Sequence, residues 1–550
     1  MRRIVVRQTV SDLRRDVRQH WRTVIAGTVA MPGRLYGLVI AVWLAATLLV
    51  WRSNLLQAHD DTLAHLVIAR RLLDSLEPGL GQLGVVWLPL PQLLLAPVVA
   101  IDPIWHSGLA GALLGLVYLQ AATGALYRTG RILGGQACAW VAVAVFLTNP
   151  NTLYQFTTAG AEAPALMFTC LCAAAVANAL AGFRRGDPRP GMIIAASGAA
   201  SGAILSHYAG WALAAIAGLV LVGGSYFWLR RRRRRITEAV SIAYTITPVN
   251  AALLWLLYNL IVFDNPLAFI RGEHSSSAIV SDLAARGIIP TAGGLPPEAG
   301  HPWLALTTYV QAAVDVNGLL LTALAGVGVL VALLRVRGQP QNLVLLALAA
   351  PSLYYLLALA LGQAVIVNRA ASPEAFLNVR YGGLMAPLVA LSLAALVTPF
   401  GRHARIAGAA VAVAALGSTI SQFREPMGPV TVAEAAVQQR AAAPSYEAAV
   451  WLANQHRGGL VLMDDIAQSG SKVIMVSGGR PLRQYVDAST LRLWREALVQ
   501  PPPNVAWIVV KGADARDRDS DRVRNTLIRD GRIDDYSLSF ENDEILIFGR

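Results

Sequence analysis

Long apolar stretches broken by short polar ones dominate this chain. LYGLVIAVWLAATLLVW and LLLTALAGVGVLVALL are each continuous enough to cross ~30 Å of hydrocarbon as a helix, and similar runs recur. Placing helices on them predicts spans at 35–52, 108–127, 135–149, 163–182, 191–205, 209–229, 238–263, 311–334, 341–362, 382–399 and 406–421, about eleven in all. The apolar stretch 83–101 is left out, because Pro89, Pro91 and Pro97 interrupt helical hydrogen bonding. It reads as a juxtamembrane or re-entrant piece inside a long first outer loop, 53–107, where Asp60 can cap a membrane-surface helix through Asp61–Leu76.

Near residue 444 the pattern changes. PSYEAAVWLANQH reads as a helix, GLVLMD as a strand and SGSKVIMVSG as a helix. A helix around Leu491–Leu498, the strand NVAWIVV, a helix through Asp519–Arg529 and two closing strands follow. This alternation predicts a small α/β domain over 440–550. The expected fold is a polytopic α-helical membrane protein: a cytoplasmic Arg-rich leader at 1–34, a transmembrane domain at 35–425, and a C-terminal extracytoplasmic α/β domain.

Composition agrees with the pattern, since 55% hydrophobic and 14% charged residues exclude a soluble protein of this size. The net charge of +13 would suit a nucleic-acid binder, but its placement does not. From Arg440 onward 15 basic residues meet 15 acidic ones, so the excess belongs to the membrane part. There it falls in the leader, Arg128/Arg131, Arg184/Arg185/Arg189, Arg230–Arg235, Arg335/Arg337 and Arg402/Arg405. Such clusters mark cytoplasmic loops, which puts the amino terminus inside and the tail outside and leaves nucleic acid no role. Eight Arg in the first 34 residues, with no cleavable apolar core, read as a leader and not a signal peptide. Only two Lys, Lys472 and Lys511, accompany the many Arg, which suggests a GC-rich bacterial genome and hence the inner membrane. Cys138, Cys170 and Cys172 lie in or beside apolar runs and offer neither a disulfide framework nor metal spacing.

Polar residues at the outer ends of spans form the candidate site. Asp60 and Asp61 stand side by side where the chain leaves the first span, and charge near a membrane is costly unless it has work to do. One carboxylate can take the proton of an attacking hydroxyl while the other tunes it; the plain alternative is helix capping. Glu162 starts a later span, where it can complete the acidic site or reach the interface. His207 lies on the same side, and Arg380 and Arg271 sit there against the inside-positive trend, suited to phosphate or to salt bridges. His59, His65 and Tyr381 are further candidates. Asp61 and His65 share a helical face, but two or three ligands without a recognised partner motif make a poor metal set. No metal or cofactor is therefore expected as a requirement, and a divalent cation is compatible with the site.

These residues resemble the GT-C superfamily of polyprenyl-phosphate-sugar glycosyltransferases, which includes protein O-mannosyltransferases and the aminoarabinose transferase. The resemblance is carried by HDDTLAH, QLGVVWLPLPQLLLAP, TTAGAEAP, LSHYAGW, WLLYNLIVFDNPLAFIRG and NVRYGGLMAPL, spread over about 50–390. It implies that Asp60 is the catalytic base, that Asp61 is the second acid of the pair, that Glu162 is the acid of the second outer loop and that Arg380 holds the lipid phosphate. A polyprenyl-phosphate sugar would be the donor, and a glycan, lipid or protein hydroxyl the acceptor. Two departures stand out. The aminoarabinose transferase has a Lys just before the first-loop prolines where this chain reads VVWLP, and His207 and Ala209 replace the Arg and Glu common among relatives. A transporter or flippase of a lipid-linked sugar, or a non-catalytic envelope assembly subunit, would use the same charges only to bind.

Overall fold

The computed structural model describes residues 27–550 apart from 230–232, 273–274, 286, 288, 292–294, 369–375, 456–457, 466–469, 514 and 516–517. Residues 1–26 of the expected leader and part of the Arg230–Arg235 cluster lie outside the described residues.

The bundle is built from α1 (Gly33–Arg52), α2 (Asp60–Arg71), α3 (Pro89–Val99), α4 (Leu109–Gly134), α5 (Gln136–Leu147), α6 (Glu162–Phe183), α7 (Pro190–Ser206), α8 (Ala209–Trp228) and α9 (Arg233–Phe263). It continues with α10 (Pro302–Asn317), α11 (Leu319–Leu334), α12 (Ala350–Ala360), α13 (Ala386–Val397), α14 (Ala404–Arg424) and α15 (Val430–Ala441). Each apolar run expected to span has a helix at its place. By length and composition seven helical stretches among the described residues can cross a membrane, or eight if α10 and α11 form one bent span. The centre is small-residue packing: Ala173–Ala175 and Ala177 of α6 are all fully enclosed. Small side chains let helices approach closely where hydrophobicity gives no net drive.

Two sequence expectations are corrected here. The single span at 311–334 is a pair of helices meeting at 112°. Gly318 makes the break: its φ of 86° is costly for other residues, and a Cβ there would strike Ser418 Oγ. The helix expected along the membrane surface is also not on a surface. α2 ends at Arg71, and every residue from Thr62 to Arg71 is buried, with α3 packed on it.

The tail domain begins with α16 (Ala443–Ala453) and carries β1 (Leu460–Met463), α17 (Ser471–Ser477), β2 (Tyr485–Val486), α18 (Leu491–Val499), β3 (Val505–Lys511), β4 (Ser537–Glu541) and β5 (Ile545–Gly549). The strand order is β2-β1-β3-β5-β4, parallel among β2, β1 and β3 and antiparallel through β5 and β4. The helix expected at Asp519–Arg529 is instead a 3-10 turn, Arg518–Ser520, followed by a short helical segment, Arg524–Ile528. β2 was not expected.

The domain shares a core with the bundle. Leu63, Leu66 and Val67 of α2 and Leu95 and Val99 of α3 pack in one cluster with Val461, Ile474 and Val509 of the tail. At the end of α2, Arg71 Nη2 bonds Asp465 at 2.8 Å and Asp487 at 2.6 Å, all three buried. Removing one partner of a buried ion pair strands the others at a cost of about 3–5 kcal/mol. Arg71→Met should therefore destabilise the docked tail by about that much, seen as a lower melting temperature and faster proteolysis beyond residue 440; melting and cleavage at the wild-type rates would refute this.

Candidate active site

Four chain segments bring charge to the tail-bearing end of the bundle. Asp60 and Asp61 open α2, Glu162 opens α6, Arg380 sits in the 3-10 turn Val379–Met385 before α13, and Glu434 lies in α15. Acids in the first turn of a helix are favoured by its positive end. The Arg380 turn lies against α10 because Gly382 has no Cβ, which would otherwise strike the Ala312 carbonyl. Gln155 Nε2 pins the same turn by donating to the Arg380 carbonyl at 3.0 Å.

Arg380 is 5% exposed and is held by three carboxylates. Its Nε meets Glu162 Oε1 at 2.8 Å, its Nη1 meets Glu434 Oε1 at 3.0 Å, and its Nη2 bonds Asp61. A guanidinium has five N–H groups, so N–H donors remain on both Nη atoms. Glu434 also accepts from the Asn378 backbone N–H at 2.7 Å, while its Oε2 is buried without a partner among the described residues.

Asp60 differs from its neighbours. It is exposed and has no ion pair among the described residues. The expected capping role fails as well: His59 is the N-cap, without a side-chain cap. Gln438 of α15 takes over that work, its Oε1 accepting from the Asp60 backbone N–H at 3.0 Å and from His59 Nδ1 at 3.2 Å. The Asp60 carboxyl is thus left without a capping partner among the described residues. Crowding by surrounding protein raises its pKa above the usual 3.8, Asp61 adds to the rise, and Lys472 on α17 is the cation that most opposes it.

The histidines divide. His207 Nδ1 accepts from the Ala209 N–H at 3.1 Å, so its proton sits on Nε2, 3.1 Å from Tyr355 Oη. Burial holds its pKa down at about 4 against the pull of Glu162, so it is neutral at pH 7. His65 takes a bond from Gln92 Nε2 on Nδ1 at 2.8 Å, which leaves a buried Nε2–H with no partner among the described residues. Burial also lowers the His65 pKa. Tyr381 stacks on Tyr355 at 4.6 Å and lies under the Arg380 guanidinium.

Most of the expected residues therefore converge, but Arg271 does not: it is exposed at the end of a short helix, Ala268–Arg271, with no ion pair among the described residues. Glu434, Gln438 and Lys472 were missed. Among the described residues no three His, Cys, Asp or Glu side chains gather to hold a metal.

No protein-family model and no curated protein matches the sequence. Among solved structures, apo ArnT of Cupriavidus metallidurans, an aminoarabinose transferase, matches 92% of this chain and 97% of its own at TM-score 0.54 and 14% identity. The fold is that of the GT-C glycosyltransferases. ArnT bound to undecaprenyl phosphate matches over the same shares at TM-score 0.52 and 12% identity. An oligosaccharyltransferase of Archaeoglobus fulgidus gives TM-score 0.45 and 12% identity over 86% of this chain and 69% of its own. The GT-C architecture gives the frame; the role of each side chain rests on the geometry above.

Arg380→Leu should cost about 3–5 kcal/mol of stability, because it strands three carboxylates in low dielectric. Asp60→Asn breaks no ion pair and should change stability by about 0.5 kcal/mol or less. Thermal unfolding of both variants in detergent checks the contrast, and equal shifts would contradict it.

Proposed function

We propose that this membrane protein moves a sugar from a polyprenyl-phosphate donor to a hydroxyl acceptor, with inversion, on the extracytoplasmic side of a bacterial inner membrane. The observation that carries this reading is an unpaired carboxylate, Asp60, beside an arginine already held by three others, Asp61, Glu162 and Glu434. The first is free to take a proton; the second is fixed in place.

In the reaction the acceptor O–H gives its proton to Asp60 as its oxygen attacks the anomeric carbon. The bond from that carbon to the phosphate oxygen breaks, and its electron pair leaves with polyprenyl phosphate, which gains one negative charge. Stabilising that charge is the harder task, since three carboxylates hold the one guanidinium and Asp60 adds a fourth negative charge nearby. The unused N–H groups of Arg380 and the Nε2–H of His65 can donate to phosphate, and His207 can donate once released from Tyr355. Arg271 would serve only if the donor's phosphate reached the bundle's rim. Lys472 supplies the missing cation. The first loop carries none in VVWLP, and the tail domain presents Lys472 on α17, which packs on α2, with its Nζ tied among the described residues by one bond, 3.1 Å, to the Asp465 carbonyl.

Asp60→Asn should lower transfer from a radiolabelled polyprenyl-phosphate sugar by about 10²–10⁴-fold in membranes that bind donor normally. Undiminished turnover would overturn the reading. Because the base must be ionised, activity falls as pH drops through the Asp60 pKa, so the acid limb lies above 3.8. Lys472 holds that pKa down, so Lys472→Met should move the limb to higher pH and raise donor KM, and Lys472→Arg should restore both. A limb that stays put in Lys472→Met would exclude this cation.

A further inference from the structure

A cavity lies near this cluster, and the transfer chemistry above does not use it. It measures about 410 Å³ and lies between the first half of α10, Pro290, Pro297 and the segment 365–368. That is within the range of roughly 300–1,000 Å³ for small-molecule sites. Its lining mixes apolar Ile366 and Val367 with polar Thr307, Thr308, Gln311 and Glu298.

Glu298 is the informative residue. It is 7% exposed, and its Oε1 accepts from Thr308 Oγ1 at 3.0 Å. Its Oε2 is buried with no hydrogen-bond partner, and no cation pairs with it among the described residues. A buried acceptor left unmade is costly, more so on a carboxylate. A structural role would normally satisfy both oxygens. A binding role leaves one for the ligand.

The cavity's position favours a ligand with two characters. α10 turns an apolar side outward next to it, with Trp303 75% and Leu304 41% exposed. Leu304 also lines the cavity, so lipid-like and polar surfaces meet at its rim. The cavity is also coupled to the carboxylate cluster through one residue. Asn378 gives its backbone N–H to Glu434 at 2.7 Å and its Nδ2–H to the carbonyl of Val365, a wall of the cavity, at 3.0 Å. Tyr309, next to Thr308, stacks on Tyr355 at 5.6 Å, and Tyr355 stacks on Tyr381 beside Arg380. An occupant here would be linked to the cluster through Asn378 and the tyrosine stack without displacing the ion pairs of Arg380.

We propose that this cavity holds the hydroxyl-rich headgroup of a glycan-bearing lipid, with Glu298 Oε2 accepting a hydrogen bond from a sugar hydroxyl. The inference rests on the transfer reading above and deepens it, because Glu298 then helps decide which sugar is used. The same chemistry fits the donor's own sugar or a glycolipid acceptor, and the test separates them.

Glu298→Gln keeps the side chain's shape and its bond from Thr308 while turning the free acceptor into a donor. Full-length protein in lipid nanodiscs is titrated with bare undecaprenyl phosphate and with the polyprenyl-phosphate sugar that the wild type uses best. If the donor's sugar occupies the cavity, Glu298→Gln weakens the sugar-bearing lipid by about tenfold and leaves the bare phosphate unchanged. If the acceptor's glycan occupies it, donor binding holds and acceptor KM rises by a similar factor at constant kcat. Thr307→Ala, at an exposed lining position, should move the same parameter less and guards against a folding defect in the first variant. Both parameters within twofold of wild type in both variants would overturn the site, while a normal effect of Asp60→Asn would leave the transfer reading intact. If the wild type transfers from no donor, the transfer reading fails; loss of saturation-transfer NMR signal from methyl glycosides in Glu298→Gln still decides the cavity.

Discussion

One guanidinium organises the functional end of this protein. Arg380 sits where little water reaches, and in such surroundings an unpaired charge is far more costly than at a surface. Three carboxylates from three other segments meet that demand, so α2, α6, α15 and the turn before α13 are mutually fixed. None can shift alone without leaving a buried charge behind. The cluster is weak evidence for stability relative to an apolar core, but strong evidence for a specified geometry. The position of Asp60 follows from it, because Asp61 is tethered and Gln438 of α15 fixes the backbone N–H of the adjacent residue.

The same cluster sets the chemistry's difficulty. Crowding by surrounding protein keeps Asp60 a better base than an isolated carboxylate, and the cluster's surplus of negative charge adds to this through repulsion from Asp61. That surplus also repels the phosphate a transferase must hold. The two needs conflict unless positive charge comes from elsewhere, close enough to act on the phosphate and weakly tied enough to respond. Lys472, next to Asp60 and held among the described residues by a single bond to a neutral carbonyl, is the cation proposed for this work. Arg71, locked between Asp465 and Asp487, meets neither.

The sequence shows the membrane fold well because apolar length and Arg placement act locally and are read directly. It shows the acidic pair, Glu162 and Arg380 because each is a charge where charge is expensive. Glu434 and Gln438 were invisible for a definite reason: they lie in VTVAEAAVQQRA, an unremarkable polar helix between the last span and the α/β domain. Only its anchoring, with Thr431 bonded to Asn151 Oδ1 at 2.9 Å, brings it back over the site. The break at Gly318 falls just after Asp315 and Asn317, at the edge of the apolar run from Leu319, and hydropathy carries no sign of direction there. The surface reading of α2 failed because its polar face meets the tail domain and not water.

That last failure has a functional meaning. α2 starts at the carboxylate cluster and ends at Arg71, so both its ends are fixed by buried charge, one in the bundle and one in the tail. Its apolar side is shared with both through Leu63, Leu66 and Val67. A helix of 12 residues is too short to absorb a mismatch by bending. A displacement of the tail would therefore carry Asp60 with it and withdraw Lys472 at the same time. Under the proposed transfer, binding of an acceptor by the tail would act on Asp60 and Lys472 together, which makes the α/β domain part of the proposed reaction centre and not an appendage to it.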